Sequence, residues 1–130
     1  MHKGFLTTGA ALGGLAVGLG AFGAHGLQQA TQDEKIIHSF QTAVQYQMYH
    51  AFALLLTGLL YEKYSQRYTR IAGLLFIIGI ILFSGSLYVL TAGRTSEIPS
   101  LDKAGIITPL GGLSFIAGWT FLFFAAINKK

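Results

Sequence analysis

The chain has 130 residues, of which 52% are apolar and only 11% are charged, and it contains no cysteine. Soluble domains carry about 25% charged residues, so this composition argues against a soluble globular protein. The lack of cysteine excludes disulfides, thiolate metal sites and cysteine nucleophiles, and the net charge of +4 is not gathered in a nucleic-acid-binding patch.

Four long apolar stretches, at about residues 4–24, 41–61, 71–92 and 105–127, contain no charged residue. A helix needs about 20 residues to cross the hydrocarbon core of a bilayer. In lipid the backbone polar groups must be satisfied within each segment, which requires helices. We therefore expect an all-α polytopic membrane protein, with a single domain over residues 1–130 that forms a four-transmembrane-helix bundle.

The charged residues between the stretches predict an orientation. With four spans, both termini and the second connection share one side, which carries Lys3, Lys63, Arg67, Arg70, Lys129 and Lys130 with the single acid Glu62. The other side carries Lys35, Arg94 and Lys103 with Asp33, Glu34, Glu97 and Asp102. Short loops with excess Lys and Arg stay in the cytoplasm. We expect both termini to be cytoplasmic and the chain to lie in the cell (inner) membrane.

The N-terminal segment allows a competing interpretation. It has Lys3, an apolar run and the small-residue end Phe22-Gly23-Ala24, as a signal peptide does. The run is longer than a usual signal-peptide core, and its removal would leave three spans that conflict with the charge distribution. We therefore favour a retained first helix.

The first span is rich in Gly and Ala and contains two GxxxG pairs. Small residues let helix backbones approach closely in lipid, so we expect this helix to be the central, most tightly packed one. The pairs could pack within the same bundle or form a dimerisation face. The glycines expected to pack helices, including two in the fourth span, are Gly9, Gly13, Gly14, Gly18, Gly111 and Gly118.

The second span has a polar beginning. Thr31 and Glu34 have capping-box spacing, which predicts a helix start near Gln32. An amphipathic stretch follows and leads into the span. To cross the bilayer, this helix must include Gln41, Gln45, Tyr46 and Gln47, so its outer half is unusually polar.

Polar side chains within the spans concentrate in the outer half of the predicted bundle. Tyr46, His50 and Thr57 share one face of the second helix by their spacing, and Ser84 and Tyr88 share one face of the third. Such side chains point into the bundle or into a hydrated cavity. We predict an outward-facing polar pocket lined by His25, Gln45, Tyr46, His50, Ser84, Tyr88 and Thr108.

His50 is the most distinctive of these residues, because it lies near the predicted bilayer midplane. It could serve as a proton relay, a haem or metal ligand or a partner for a quinone oxygen. The alternative is a neutral histidine that is hydrogen-bonded across the bundle. The spacing of His25, His38 and His50 is no known metal-binding pattern, and no acid lies within a span to complete a Ser-His-Asp set.

Four motifs in order carry a family resemblance: GAFGAHGL at 20–27, YQMYHAFALL at 46–55, LFSGSLY at 82–88 and TPLGGLSFIAGW at 108–119. Over nearly its whole length the chain resembles the domain of unknown function 423 family of small four-helix membrane proteins, similar to transmembrane protein 256. The resemblance implies a multi-pass membrane protein of about this length and implies no activity.

The function expected from these observations is that of an uncharacterised small integral membrane protein acting as a non-enzymatic accessory or structural module. The alternative is a binder or carrier of a lipid, quinone or small solute that uses the pocket around His50. We expect no catalytic residues, metal or cofactor. The expected partners are the lipid bilayer and either further copies of the chain or a larger membrane complex, with no nucleic acid.

Overall fold

A computed structural model describes residues 1–128; Lys129 and Lys130, two of the cations in the charge distribution above, lie outside the described residues. The chain forms four helices, α1 (Lys3–Ala30), α2 (Glu34–Leu60), α3 (Gln66–Thr95) and α4 (Thr108–Ile127). A 3-10 helix, Pro99–Ile106, leads from α3 into α4. The prediction of an all-α fold is confirmed for the described part of the chain.

Side chains at the helix starts accept the backbone N–H groups that have no partner within the helix. His2 Nδ1 accepts from the N–H of Phe5 at 3.1 Å at the start of α1. Asp33 Oδ1 accepts from the N–H of Lys35 at 2.9 Å at the start of α2. This helix therefore begins slightly later than the Thr31 capping box predicts, because Asp33 supplies the cap.

Contacts at the two ends of the bundle show which connections lie together. At one end the N-terminal ammonium group is 3.0 Å from Glu62, in the connection between α2 and α3. At the other end Asp33, from the first connection, lines one cavity together with Arg94 and Asp102, from the region that joins α3 to α4. Neighbouring helices therefore run antiparallel, and the charged residues are grouped by end as the sequence predicts.

The expectation that α1 is the central helix is wrong. The buried residues of its Lys3–Phe22 segment are Phe5, Gly9 and Ala16, whereas α2 buries residues along its whole length. A side chain added at Gly14 or Gly18 would meet no protein atom within 4 Å. Helices α2 and α3 form the centre, with α1 packed mainly on α2 and α4 mainly on α3.

A cluster of buried apolar residues, Ala53, Ala72, Phe76, Ile80 and Phe115, lies mainly at the α3–α4 contact. Phe76 and Phe115 are almost fully buried, and each ring lies against a glycine of the facing helix. A methyl group at Gly118 would come within 2.7 Å of the Phe76 ring, and one at Gly79 would collide with Phe115. The two helices approach closely because these glycines have no side chains.

Three segments of the described chain are long and apolar enough to cross a membrane: Lys3–Ala30, Gln66–Thr95 and Pro99–Ile127. Helix α2 has 27 residues, which is sufficient length, but it is not among the three. It contains Gln41, Gln45, Gln47 and His50, which lower its hydropathy.

Two adjacent glycines of α4 test this packing. We expect Gly111→Ala to lower the free energy of unfolding by about 1–3 kcal/mol, because the added methyl would collide with the backbone of Phe83. Gly112→Ala adds the same methyl at 4.0 Å from the Phe83 ring and is expected to be neutral or to stabilise α4 by about 0.5–1 kcal/mol. Reversible unfolding in detergent measures both, and equal effects would contradict the packing described.

Candidate functional site

Gln47 connects three helices from inside the bundle. Its side chain is 2% exposed, and its Nε2 donates to the carbonyl oxygen of Leu12 in α1 at 2.8 Å. Its Oε1 accepts from the hydroxyl of Tyr88 in α3 at 2.6 Å. A buried amide is stable only with such partners, so Gln47 fixes the positions of α1 and α3 against α2.

His50 connects α2 to α4. Its Nδ1 lies 2.7 Å from the carbonyl oxygen of Tyr46, and Trp119 Nε1 donates to its Nε2 at 3.1 Å. Because a carbonyl only accepts and an indole N–H only donates, Nδ1 must carry the proton and Nε2 must be the acceptor. The ring also stacks on Phe115, with centroids 3.5 Å apart and planes at 10°.

Hydroxyl groups make further hydrogen bonds from α3 to its neighbouring helices. Ser84 Oγ donates to the carbonyl oxygen of Ala43 at 2.7 Å, from α3 to α2. Ser86 and Thr108 share a hydrogen bond of 2.5 Å between α3 and the start of α4. Ser84 ends a π-helical turn, Ile80–Ser84, and such turns often occur at functional sites. Each of these contacts serves helix packing.

The predicted pocket residues belong to several separate groups. Tyr46 and His50 lie together, with the Tyr46 ring stacked on Phe83 at 4.7 Å and 39% of the residue exposed. His25 is exposed on a second π-helical turn, Gly23–Leu27. Gln45 lies in a groove between α1 and α2. That these residues line a single hydrated pocket remains a prediction.

The face of α2 predicted to point inward is buried except at its first residue. His50 and Thr57 are buried, whereas Tyr46 is 39% exposed. Ala43, Gln47 and Leu54 are buried beside this face. Two residues that matter here, Gln47 and Trp119, were not included in the predicted site. The polar character of Gln47 was visible in the sequence, but the pairing of Trp119 with His50, 69 residues apart, left no sequence signal.

A further cavity lies between the C-terminal ends of α1 and α3 and the first turns of α2. It has a volume of about 190 Å³, and Tyr88, Thr91 and Thr95 are among its lining residues. The hydroxyl oxygens of the two threonines are buried without a hydrogen-bond partner. These hydroxyl oxygens have almost no water-accessible surface, so they do not face the open space of the cavity. Within residues 1–128, no group of three or more His, Cys, Asp or Glu could hold a metal ion.

Comparison with known proteins gives consistent results. The family model described as "Protein of unknown function (DUF423)" matches residues 19–112. The UPF0382 membrane protein YwdK of Bacillus subtilis is 45% identical over 127 residues, covering 97% of this chain and 98% of the relative. A UPF0382 membrane protein of Haemophilus influenzae is 35% identical over 130 residues, covering 100% and 98%.

A relative also occurs in a eukaryote. A UPF0382 membrane protein of Schizosaccharomyces pombe is 42% identical over 112 residues, covering 85% of this chain and 91% of the relative. No solved structure matches the chain. The chain therefore belongs to the DUF423 family and, like its UPF0382 relatives, is a multi-pass membrane protein.

Proposed function

We propose that this protein is a non-enzymatic structural or accessory module of the cell membrane. In this proposal residues 1–130 form one domain, four helices cross the bilayer and both termini are cytoplasmic. The observation that carries the proposal is that the buried polar side chains of α2, Gln47 and His50, are engaged in hydrogen bonds within the chain. These two side chains therefore use their hydrogen-bonding groups to hold the helices together.

The crossing of the membrane by α2 is supported by its internal hydrogen bonds. The cost of a polar residue in lipid comes from unpaired donors and acceptors, and Gln47 and His50 have partners. Thr57 Oγ1 donates to the carbonyl oxygen of Ala53 at 2.7 Å. At ~1.5 Å per residue the helix is about 40 Å long, which exceeds a hydrocarbon core of about 30 Å.

The proposed orientation is supported by the charges at the N-terminal end of the bundle. Arg70 donates to the hydroxyl of Tyr61 at 2.6 Å and lies over the same ring. Lys63 lies 5.7 Å from the ring centroid of Tyr64. An excess of basic residues in short connections is typical of the cytoplasmic side, and tyrosines such as these anchor helices at a membrane interface.

The non-enzymatic role is supported by the state of His50. A general base needs a free lone pair within reach of a substrate, and a metal ligand needs the same lone pair. Trp119 donates to the Nε2 lone pair, and the Nδ1 proton points to the Tyr46 carbonyl oxygen.

The topology can be tested directly because the chain contains no cysteine. We expect Gln32→Cys, in the first connection, to react with a membrane-impermeant maleimide added to intact cells. Lys63→Cys, in the second connection, should react only after the membrane is opened. The physical reason is that α2 separates the two positions across the bilayer. Labelling of both positions from the same side would show that α2 does not cross.

The structural role of His50 can be separated from a chemical one. His50→Gln keeps an acceptor for Trp119 but removes the imidazole. We therefore expect this variant to restore growth of a deletion strain, measured in a condition where that strain grows more slowly than the parent. His50→Leu removes the acceptor and leaves the Trp119 N–H unpaired, which should lower the amount of folded protein. A His50→Gln protein of normal abundance and stability that fails to complement would contradict the proposal.

A further inference from the structure

Two cavities lie along the contact between α1 and α2. The outer cavity, of about 350 Å³, is lined by Gln28, Gln41 and Gln45 together with Gly20 and Ala24; we call it the amide groove.

The inner cavity, of about 270 Å³, is lined by apolar residues that include Gly14, Val17, Met48 and Phe52; we call it the apolar groove. Gln41, Gln45, Met48 and Phe52 follow each other at helical spacing. The two cavities therefore follow one another on one face of α2, and we refer to them together as the groove. A polar region followed by an apolar one matches the order of the polar headgroup region and the acyl chain in a lipid.

The three glutamines of the amide groove have no partner within the protein. Among the described residues none of their side chains makes a hydrogen bond, and all three are exposed. On the proposed topology Gln45 lies 15 residues before Leu60, the last residue of α2, or about 22 Å from its inner end at ~1.5 Å per residue. That depth is inside a hydrocarbon core of about 30 Å, where an unpaired amide is unfavourable.

The mouth of the groove carries both signs of charge. Gln41 also lines an outer cavity of about 700 Å³ with Glu34, Lys35, His38 and Arg94. Arg94 is paired with Asp102 at 3.5 Å, whereas Lys35 makes no ion pair with any of residues 1–128. A cation for a phosphate and an acid for an ammonium group thus lie side by side, above amides and an apolar channel.

We propose that this groove binds one diacyl phospholipid with an amine-bearing headgroup, taken from the outer leaflet. Lys35 binds the phosphate and Glu34 the ammonium group. The amides of Gln41 and Gln45 donate to the ester carbonyl oxygens of the bound lipid, which gives these amides the partners that the protein does not supply. One acyl chain lies in the apolar groove. The inference rests on the proposed crossing of the membrane by α2.

Two pairs of variants isolate the groove from the fold. Gln45→Leu removes an amide of the groove, and Gln29→Leu removes an exposed glutamine outside it. Gly14→Leu places a side chain in the apolar groove, whereas Gly18 is not among the lining residues. A Cβ at Gly14 or Gly18 meets no protein atom within 4 Å, so Gly14→Leu and Gly18→Leu should fold equally well.

The experiment uses the full chain reconstituted in vesicles of equal parts phosphatidylethanolamine and phosphatidylglycerol, extracted in mild detergent and examined by native mass spectrometry. We expect one phosphatidylethanolamine retained per chain. Retention should fall at least fivefold in Gln45→Leu and Gly14→Leu and stay at the parent level in Gln29→Leu and Gly18→Leu.

Equal retention in all variants, retention of phosphatidylglycerol instead, or no retained lipid would overturn the proposal. A dimer that is lost in both Gly14→Leu and Gly18→Leu would also overturn it, because the occupant would then be a second copy. The maleimide experiment distinguishes failure of this inference from failure of the proposed topology. Labelling of both cysteines from the same side would contradict the topology. Equal lipid retention in all variants, with the cysteines labelled from opposite sides, would contradict only the lipid-binding groove.

Discussion

The hydrogen bonds of Gln47 are the interaction on which the arrangement of the helices depends. One side chain on α2 donates to the Leu12 carbonyl oxygen of α1 and accepts from Tyr88 of α3. An apolar contact in lipid gives little reason for one helix pairing over another, whereas a buried amide is satisfied in few arrangements. His50 adds the fourth helix through Trp119, so neighbouring polar residues of α2 organise the whole bundle.

The buried polar residues that connect the helices lie mainly on α2. The surfaces of α1 and α4 can therefore consist of apolar or small residues. Helix α4 presents Leu113, Ile116 and Phe123 outward, each more than 60% exposed, as a lipid-facing helix does. Helix α1 presents Gly14 and Gly18 without protein neighbours. Its small side chains leave the groove against α2, and this is where the unpaired amides of Gln41 and Gln45 lie.

Composition and charge were sufficient to predict a helical membrane protein and to group its connections by end, because the bilayer constrains length and backbone pairing so strongly. They could not place α1, since GxxxG pairs indicate that helices can approach without saying which ones. They predicted the buried positions of His50 and Thr57 on α2 but not the exposure of Tyr46, because an aromatic ring with a polar tip can lie at a surface as well as inside a bundle. The two π-helical turns, Gly23–Leu27 and Ile80–Ser84, could not be predicted either, because no residue spacing is characteristic of such turns. Both fall within or beside the family motifs.

The most direct test of the central claim is a double-mutant cycle between Gln47→Leu and Tyr88→Phe, measured as the free energy of reversible unfolding in lipid bicelles. The account predicts that each change destabilises the protein and that the pair is coupled by about 0.5–1.5 kcal/mol, the range of hydrogen bonds between membrane helices. Additive effects of the two substitutions, or a Gln47→Leu protein more stable than the parent, would contradict it.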